Sequence, residues 1–264
     1  MPVSQSGPAT ESEQSTEADR LPKTLAGTVY EILRSDILSG QLAPECKLRI
    51  EFLSKRYRTG HIPIREALNR LTSEGLVDRR EQRGFIVSPI SAEDLRELTK
   101  TRCWLEGIAL SESIASHTRE WEEGVVLAFH RLSRLPRSMN RSTYRVNPEW
   151  ERLHREFHRS LLAGCGSRWL LSFCLQLADQ SYRYRQIAFK KVFPLRNDTD
   201  AHRMITEATI GGNADVAVKL LQTHLQFTAR TILESRHALK IVFPAINDRQ
   251  PRAGKPRPNK NQHK

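Results

Sequence analysis

The tightest constraint on the fold lies between residues 40 and 88, where two breaks cut the apolar pattern into short amphipathic pieces. Upstream, Leu25, Val29, Ile32, Leu33 and Ile37 recur at helical spacing and mark one face of a helix. Gly40 stops it, and Pro44 follows. A shorter helix reads through Ile50, Phe52 and Leu53 to about Arg56, and Thr59-Gly60 ends it. Pro63 sits in the first turn of the next helix, where a missing N–H costs nothing. Ile64, Leu68 and Leu71 give that helix a buried face, and Gly75 closes it. Two β-prone runs follow, Leu76–Asp78 and Phe85–Val87, with Gln82-Arg83-Gly84 as the hairpin tip. The order helix, helix, turn, helix, hairpin is that of a winged helix-turn-helix.

In such a module the second helix of the pair enters the major groove and its first turn meets base edges. Gly60, His61, Ile62 and Arg65 occupy that region. The fork of Arg65 matches guanine O6 and N7. The competing role for Arg65 is a helix-surface salt bridge with Glu66 or Glu51. Lys55, Arg56 and Arg58 come just before and suit phosphates, which position a protein without specifying sequence. Arg83 and Gly84, at the wing tip, reach an adjacent groove or phosphate.

From Ser91 onward the period is helical almost throughout. Ser91-x-x-Asp94 opens one long helix marked by Leu95, Leu98, Leu105 and Ile108. Val125, Val126, Phe129 and Leu132 mark a second. After a polar loop at 137–147, helices are expected at about 148–163, 167–190, 199–211 and 214–236. The expected architecture is therefore mainly α: a winged module over residues 24–90 and an all-α bundle over 91–240. Residues 1–23 and 241–264 read as disordered arms, because they hold too little apolar surface to offset ordering entropy.

Histidine placement stands out in the bundle. His154 and His158 lie four apart, so one helix face presents both. His202 opens a later helix and His224 sits inside the last one. Facing helices can gather such groups around one ion, and four imidazoles suit zinc, nickel, copper or iron. The alternative is unrelated polar histidines, since nine in 264 residues produce such a pair by chance fairly often.

The formal charge of +12 points to a polyanionic partner such as nucleic acid, but it is unevenly placed. Residues 24–90 hold eleven bases and eight acids, whereas the last sixteen residues hold six bases and no acid. No apolar stretch approaches the length of a membrane span, and the N-terminus lacks the features of a secretory signal. Cys46, Cys103, Cys165 and Cys174 lack metal-site spacing and fit free thiols in a cytoplasmic protein.

The strings SGQLAPECKLRIEFLSKRY, PIREALNRLTSEGLV and RGFIV resemble the DNA-binding domain of GntR-type bacterial transcription regulators. Two departures stand out. Glu45 replaces the usual Gly after Pro, and Gly60-His61-Ile62 replaces the usual Ser-Arg-Thr, which predicts an altered or weaker operator readout. WERLHREFHRSLLAGCGSRWL, DAHRMITEATIGGNADVAVKLLQTHLQF and TRCWLEGIAL resemble the FCD ligand-binding domain of the FadR subgroup. That resemblance implies a metal held by Asp, His, His and His. Here Phe157-His158, His202 and His224 match, and His154 stands in place of the Asp. It also implies a cavity-facing Arg102 that pairs with a ligand carboxylate, Glu106 at i+4 being the competing partner. Arg183 and Arg185 are further ligand-binding candidates. The implied protein is a regulator, usually a repressor: a homodimer on a roughly palindromic double-stranded operator. It carries a divalent transition metal, zinc before nickel, and answers to a small carboxylate effector. Two alternatives stay open: a sensor whose effector is the ion itself, and a metal-dependent hydrolase using Glu151 or Glu156 as base.

Overall fold

A computed structural model describes residues 24–81, 84–140, 145–189 and 198–234. Both expected arms and Arg83 lie outside these residues, as does the middle of the 137–147 loop. The chain begins with helix α1 (Leu25–Leu38), strand β1 (Lys47–Leu48), α2 (Ile50–Tyr57), α3 (His61–Ser73), β2 (Val77–Arg80) and β3 (Gly84–Val87). Six longer helices follow: α4 (Ala92–Ala115), α5 (Arg119–Ser133), α6 (Pro148–Leu162), α7 (Arg168–Phe189), α8 (Asp198–Ile210) and α9 (Ala214–Glu234). The chain is mainly α, with a winged helix-turn-helix followed by a helical bundle.

The winged core is built where the apolar spacing placed it. Val29, Leu33 and Ile37 of α1 meet Leu53 of α2 and Ile64, Leu68 and Leu71 of α3. Leu25 and Ile32 fall off that stripe and stay exposed. The wing carries one strand more than the sequence indicated. β1 pairs antiparallel with β3, Lys47 opposite Ile86 and Leu48 opposite Phe85, giving the sheet order β1-β3-β2. A two-residue strand has no readable alternation, so only its buried Leu48 marks it. β2 also runs on to Arg80, because its outer half is polar and pairs through the backbone, Arg79 opposite Phe85 and Arg80 opposite Gly84.

The junction before β1 accounts for the unusual Glu45. Its φ is 63°, the left-handed region that glycine occupies freely, and its N–H donates to the Val87 carbonyl at 2.9 Å. The backbone keeps the shape of the Gly turn although the side chain penalises it.

In the bundle, α4 buries the stripe Leu95, Leu98, Arg102, Glu106, Ala109 and Leu110. Ile108 and Val126 lie in α4 and α5 as expected, but off their buried stripes, Ile108 at 54% exposure and Val126 at 43%. The helix starts are capped as the sequence suggested. Ser91 accepts from Asp94 N–H at 3.0 Å, and Asn147 caps α6 ahead of Pro148 at the first turn. The main bundle core runs from Leu110 and Ile114 through Leu153, Phe157 and Leu161 to Leu221 and Leu225.

One helix joins the two halves. Gln180 of α7 donates to the Glu74 carbonyl at 3.0 Å, and Asp179 pairs with Arg34 of α1, which also bonds Glu74 at 3.3 Å. Tyr182 packs against the winged core, and the Tyr184 hydroxyl accepts from Ser91 N–H at 3.1 Å. Replacing Glu45 by Gly should relieve the left-handed strain and raise stability by about 1 kcal/mol, read as an increase in thermal midpoint. A lower midpoint would show that the Glu side chain contributes more than the strain costs.

Candidate functional site

The surface presented by α3 is what a major-groove reader needs. Gly60 caps the helix and His61 is its first residue. His61, Ile62 and Arg65 are all exposed, Ile62 to 73%. Glu51 is held by Lys55 at 3.0 Å, and among the described residues no ion pair engages Arg65. The salt-bridge role considered for Arg65 is therefore not formed. Arg56 is tied to Asp36 at 3.0 Å, so this guanidinium braces α2 against α1 as well as facing outward. Arg58 takes a left-handed backbone, φ 51°, which turns the chain between α2 and α3.

A groove between α3 and the wing is lined by Lys47, Arg49, Arg65, Arg79, Gly84 and Phe85. Three of its four cations were not picked out from sequence. Lys47 opens the undetected β1 and Arg49 follows it, and Arg79 sits on the polar half of β2. A two-residue strand leaves only the buried Leu48 between them as a signal. Gly84 has open space where a Cβ would stand and a φ of 75°, so backbone conformation rather than crowding calls for glycine.

The bundle gathers all four histidines. One ring nitrogen from each of His154, His158, His202 and His224 lies within 4.8 Å of the others. His154 and His158 come from α6 one turn apart, His202 from the start of α8 and His224 from the middle of α9. Ring centroids are 4.6 Å apart for His154–His158, 4.7 Å for His202–His224 and 5.2 Å for His158–His224. His154, His202 and His224 are buried, and His158 is at the margin with 9% exposure.

Burial holds the His154 imidazole well below its ordinary 6.5, with Arg185 and the other three rings adding to the effect. Burial likewise lowers His158, helped by His202, Arg102 and Arg185. Both rings are therefore neutral near pH 7, the form that offers a lone pair to a metal. Neither ring nitrogen of His158 has a hydrogen-bond partner. A buried imidazole left in that state is costly unless something else takes its lone pair, and an ion would do so. The donor set fits a borderline transition metal such as zinc or nickel and is wrong for magnesium or calcium.

His154, His158 and His224 line a cavity of about 90 Å³, together with Arg102, Glu106, Tyr182 and Arg185. Arg102 faces the cavity and also engages its competing partner. It lines the cavity, and its Nε donates to Glu106 Oε1 at 2.7 Å. Burial raises the Glu106 carboxyl and Arg102 opposes that rise. The expectation for Arg183 is corrected. It lies outside the cavity lining, 1% exposed, and donates to the Ser88 carbonyl at the junction between the two halves. The 3.6-residue period turns it away from the face that carries Arg185. Arg185 lines the cavity, donates to Glu151 and lies 3.1 Å from His154 Nδ1. Cys103, Cys165 and Cys174 are buried free thiols and Cys46 is half-buried.

A winged module carrying a basic groove, joined to a helical domain with a cavity beside a histidine cluster, is the arrangement of a DNA-binding regulator. Comparison with known proteins agrees. Residues 25–87 match the model of bacterial regulatory proteins of the gntR family, and residues 97–227 match the FCD domain. The chain is 35% identical over 204 residues to the uncharacterized HTH-type transcriptional regulator BphR of Paraburkholderia xenovorans, covering 77% of this chain and 83% of that one. It is 34% identical over 200 residues to the HTH-type transcriptional repressor GlaR of Escherichia coli, covering 74% and 90%. The solved structure of E. coli McbR/YncC superposes with a TM-score of 0.67 at 17% identity, covering 81% of this chain and 99% of that one, and so supports the fold alone.

The chain belongs to the GntR family of transcriptional regulators, in the subgroup with an FCD domain. It is a DNA-binding regulator and not an enzyme, which sets the hydrolase alternative aside. No helix among the described residues is long and apolar enough to cross a membrane.

The depressed histidines fix a sign. The unfolded chain takes up protons at about 6.5 while the folded rings resist them, so stability falls as pH drops below 6.5 and is indifferent to these groups above it. Thermal midpoints of metal-free protein should show that slope, and the double variant His154→Gln/His158→Gln should flatten it. An unchanged slope in the variant would place the acid sensitivity elsewhere.

Proposed function

We propose that this chain is a homodimeric, ligand-responsive repressor whose operator affinity is set by a small carboxylate bound beside a metal ion in the helical domain. The observation that carries the reading is the four-histidine cluster, three of whose rings line a cavity that Arg102 also lines. His158, His202 and His224 hold the ion, with His154 as the fourth member of the cluster. When bound, the ion supplies a fixed positive charge to which a carboxylate can be anchored. Arg102 adds a planar donor. Its Nε is committed to Glu106, and among the described residues no bond engages its Nη pair, which suits the two oxygens of a carboxylate.

The DNA-facing residues are Gly60, His61, Ile62 and Arg65 of the recognition helix, with Lys55, Arg56, Arg58, Arg83 and Gly84 around it and the groove cations beside it. Trp169 and Phe173, one turn apart on α7 and exposed to 65% and 53%, offer an apolar patch for a second copy. Twofold symmetry then calls for a roughly palindromic double-stranded site.

Helix α7 suits the task of coupling. Asp179, Tyr182 and Arg185 line the cavity, while Gln180 and the pairing of Asp179 with Arg34 hold the winged module. An effector that favours one pose of this helix shifts the winged heads, but only by its differential affinity for the two poses.

Arg65→Ala should cost about 1–3 kcal/mol of operator binding and relax preference at one base pair, measured by titration against operator variants. An equal loss on unrelated DNA would make Arg65 a phosphate contact instead. The cluster also favours a second reading, a sensor of the ion itself. Zinc-loaded and chelator-stripped protein should bind the operator alike if an acid is the effector, and a small carboxylate should then release the loaded form. Release by chelation alone would establish the metal sensor.

A further inference from the structure

The four imidazoles are not equivalent, and the difference lies in what touches His154. Arg185 Nη1 sits 3.1 Å from His154 Nδ1. A guanidinium has five N–H donors and no acceptor, and it stays protonated in proteins. The ring nitrogen facing it must therefore accept, and its lone pair is used. In a neutral imidazole the proton then resides on the other nitrogen, Nε2. Neither nitrogen is left with a lone pair for an ion. Reversing the ring does not help, because it would turn a C–H toward Arg185 and break the bond.

Arg185 is held in this position. Its Nη2 donates to Glu151, a carboxylate buried to 1% exposure on the same helix as His154 and one turn earlier. The guanidinium carbon lies 5.4 Å from the Tyr182 ring centre and 5.7 Å from that of Trp150. Trp150 in turn stacks on His154, with ring centres 4.7 Å apart and planes inclined by 21°. The pair with Glu151 compensates the buried charge of Arg185, so Arg185 can stand beside a cationic site without an unpaired charge in the interior. Nothing comparable binds His158, whose two nitrogens have no hydrogen-bond partner.

We infer that His154 is not a metal ligand in this protein, and that the ion is held by His158, His202 and His224 alone. Glu151 and Arg185 fix His154 as an N–H donor in the cavity wall. The inference rests on the metal-site reading above and refines it. Three protein ligands leave the ion with an open position, the arrangement of sites that take up an exogenous group rather than closed structural sites. His154 then contributes a hydrogen bond to the occupant of the cavity. A carboxylate gains from such a donor, whereas a fourth coordinating imidazole would fill the remaining tetrahedral position on zinc. Arg185 is a positioning residue here: it acts through the tautomer of His154.

X-ray absorption of the zinc-loaded full-length protein tests this without any variant. The expected first shell contains three imidazoles; a shell of four overturns the inference while leaving the metal site intact. Zinc uptake after equilibrium dialysis gives the second readout. His154→Gln should retain stoichiometric zinc, with affinity reduced by no more than the roughly 10–100-fold that loss of an outer partner costs. His158→Ala and His224→Ala should lose stoichiometric zinc. Arg185→Met frees Nδ1, and its imidazole count should rise from three to four. Loss of zinc from His154→Gln to the same extent as from His158→Ala would overturn the proposal. Wild-type protein that takes up no zinc would overturn the site reading as well, a result distinct from a four-imidazole shell.

Discussion

The pairing of Asp179 with Arg34 is the contact on which the two halves of the molecule depend, because it sits on a helix that belongs to both. Helix α7 is 22 residues long and rigid on the scale of the domains it joins. Its period assigns alternate faces to different neighbours. Gln180 and Arg183 address the backbone of the winged module, while Tyr182 and Arg185 address the cavity and the imidazoles. Asp179 lines the cavity and also holds the partner helix. Any molecule in that cavity would meet the helix that also contacts the winged module. The proposed coupling needs no wire of intermediates, only one element committed to both neighbours.

Much of this was legible in the sequence because it follows from periodicity and punctuation. Val29, Leu33, Ile64 and Leu68 are core residues, and Gly40 and Gly75 end helices in left-handed conformations, as their positions imply. The histidine cluster was legible for a different reason: spacing put two rings on one face, and the family resemblance supplied the others. What was not legible depends on orientation across the chain. Strand β1 is two residues long and exists only because β3 is there to pair with it. Ile108 and Val126 are apolar yet exposed, since an apolar residue is a necessary but not sufficient mark of the core. Arg183 and Arg185 differ by two positions, and a helix turns by more than half a circle over two residues, so composition alone could not say which one faces the cavity.

The histidine cluster shows how a family pattern can be kept in outline and altered in chemistry. An imidazole occupies the position of a carboxylate, so the candidate metal site loses a negative group. Glu151, one turn earlier on the same helix, is engaged with Arg185. Two buried ion pairs stand beside the rings, Arg102 with Glu106 and Arg185 with Glu151, and Arg155 and Arg159 add positive charge to the cavity lining. An ion placed among them would add to that positive charge, and an anion would be its natural complement.

The sheet of the wing has a consequence outside DNA binding. Its central strand, β3, is covered on both sides, so its exposed edges are β1 and β2. Open strand edges invite pairing with other molecules and so promote aggregation. Here one edge is two residues long and carries Lys47, and the other ends in Arg79 and Arg80. Two such edges repel each other. Cations suited to a phosphate backbone also discourage sheet-to-sheet association between free copies of the chain.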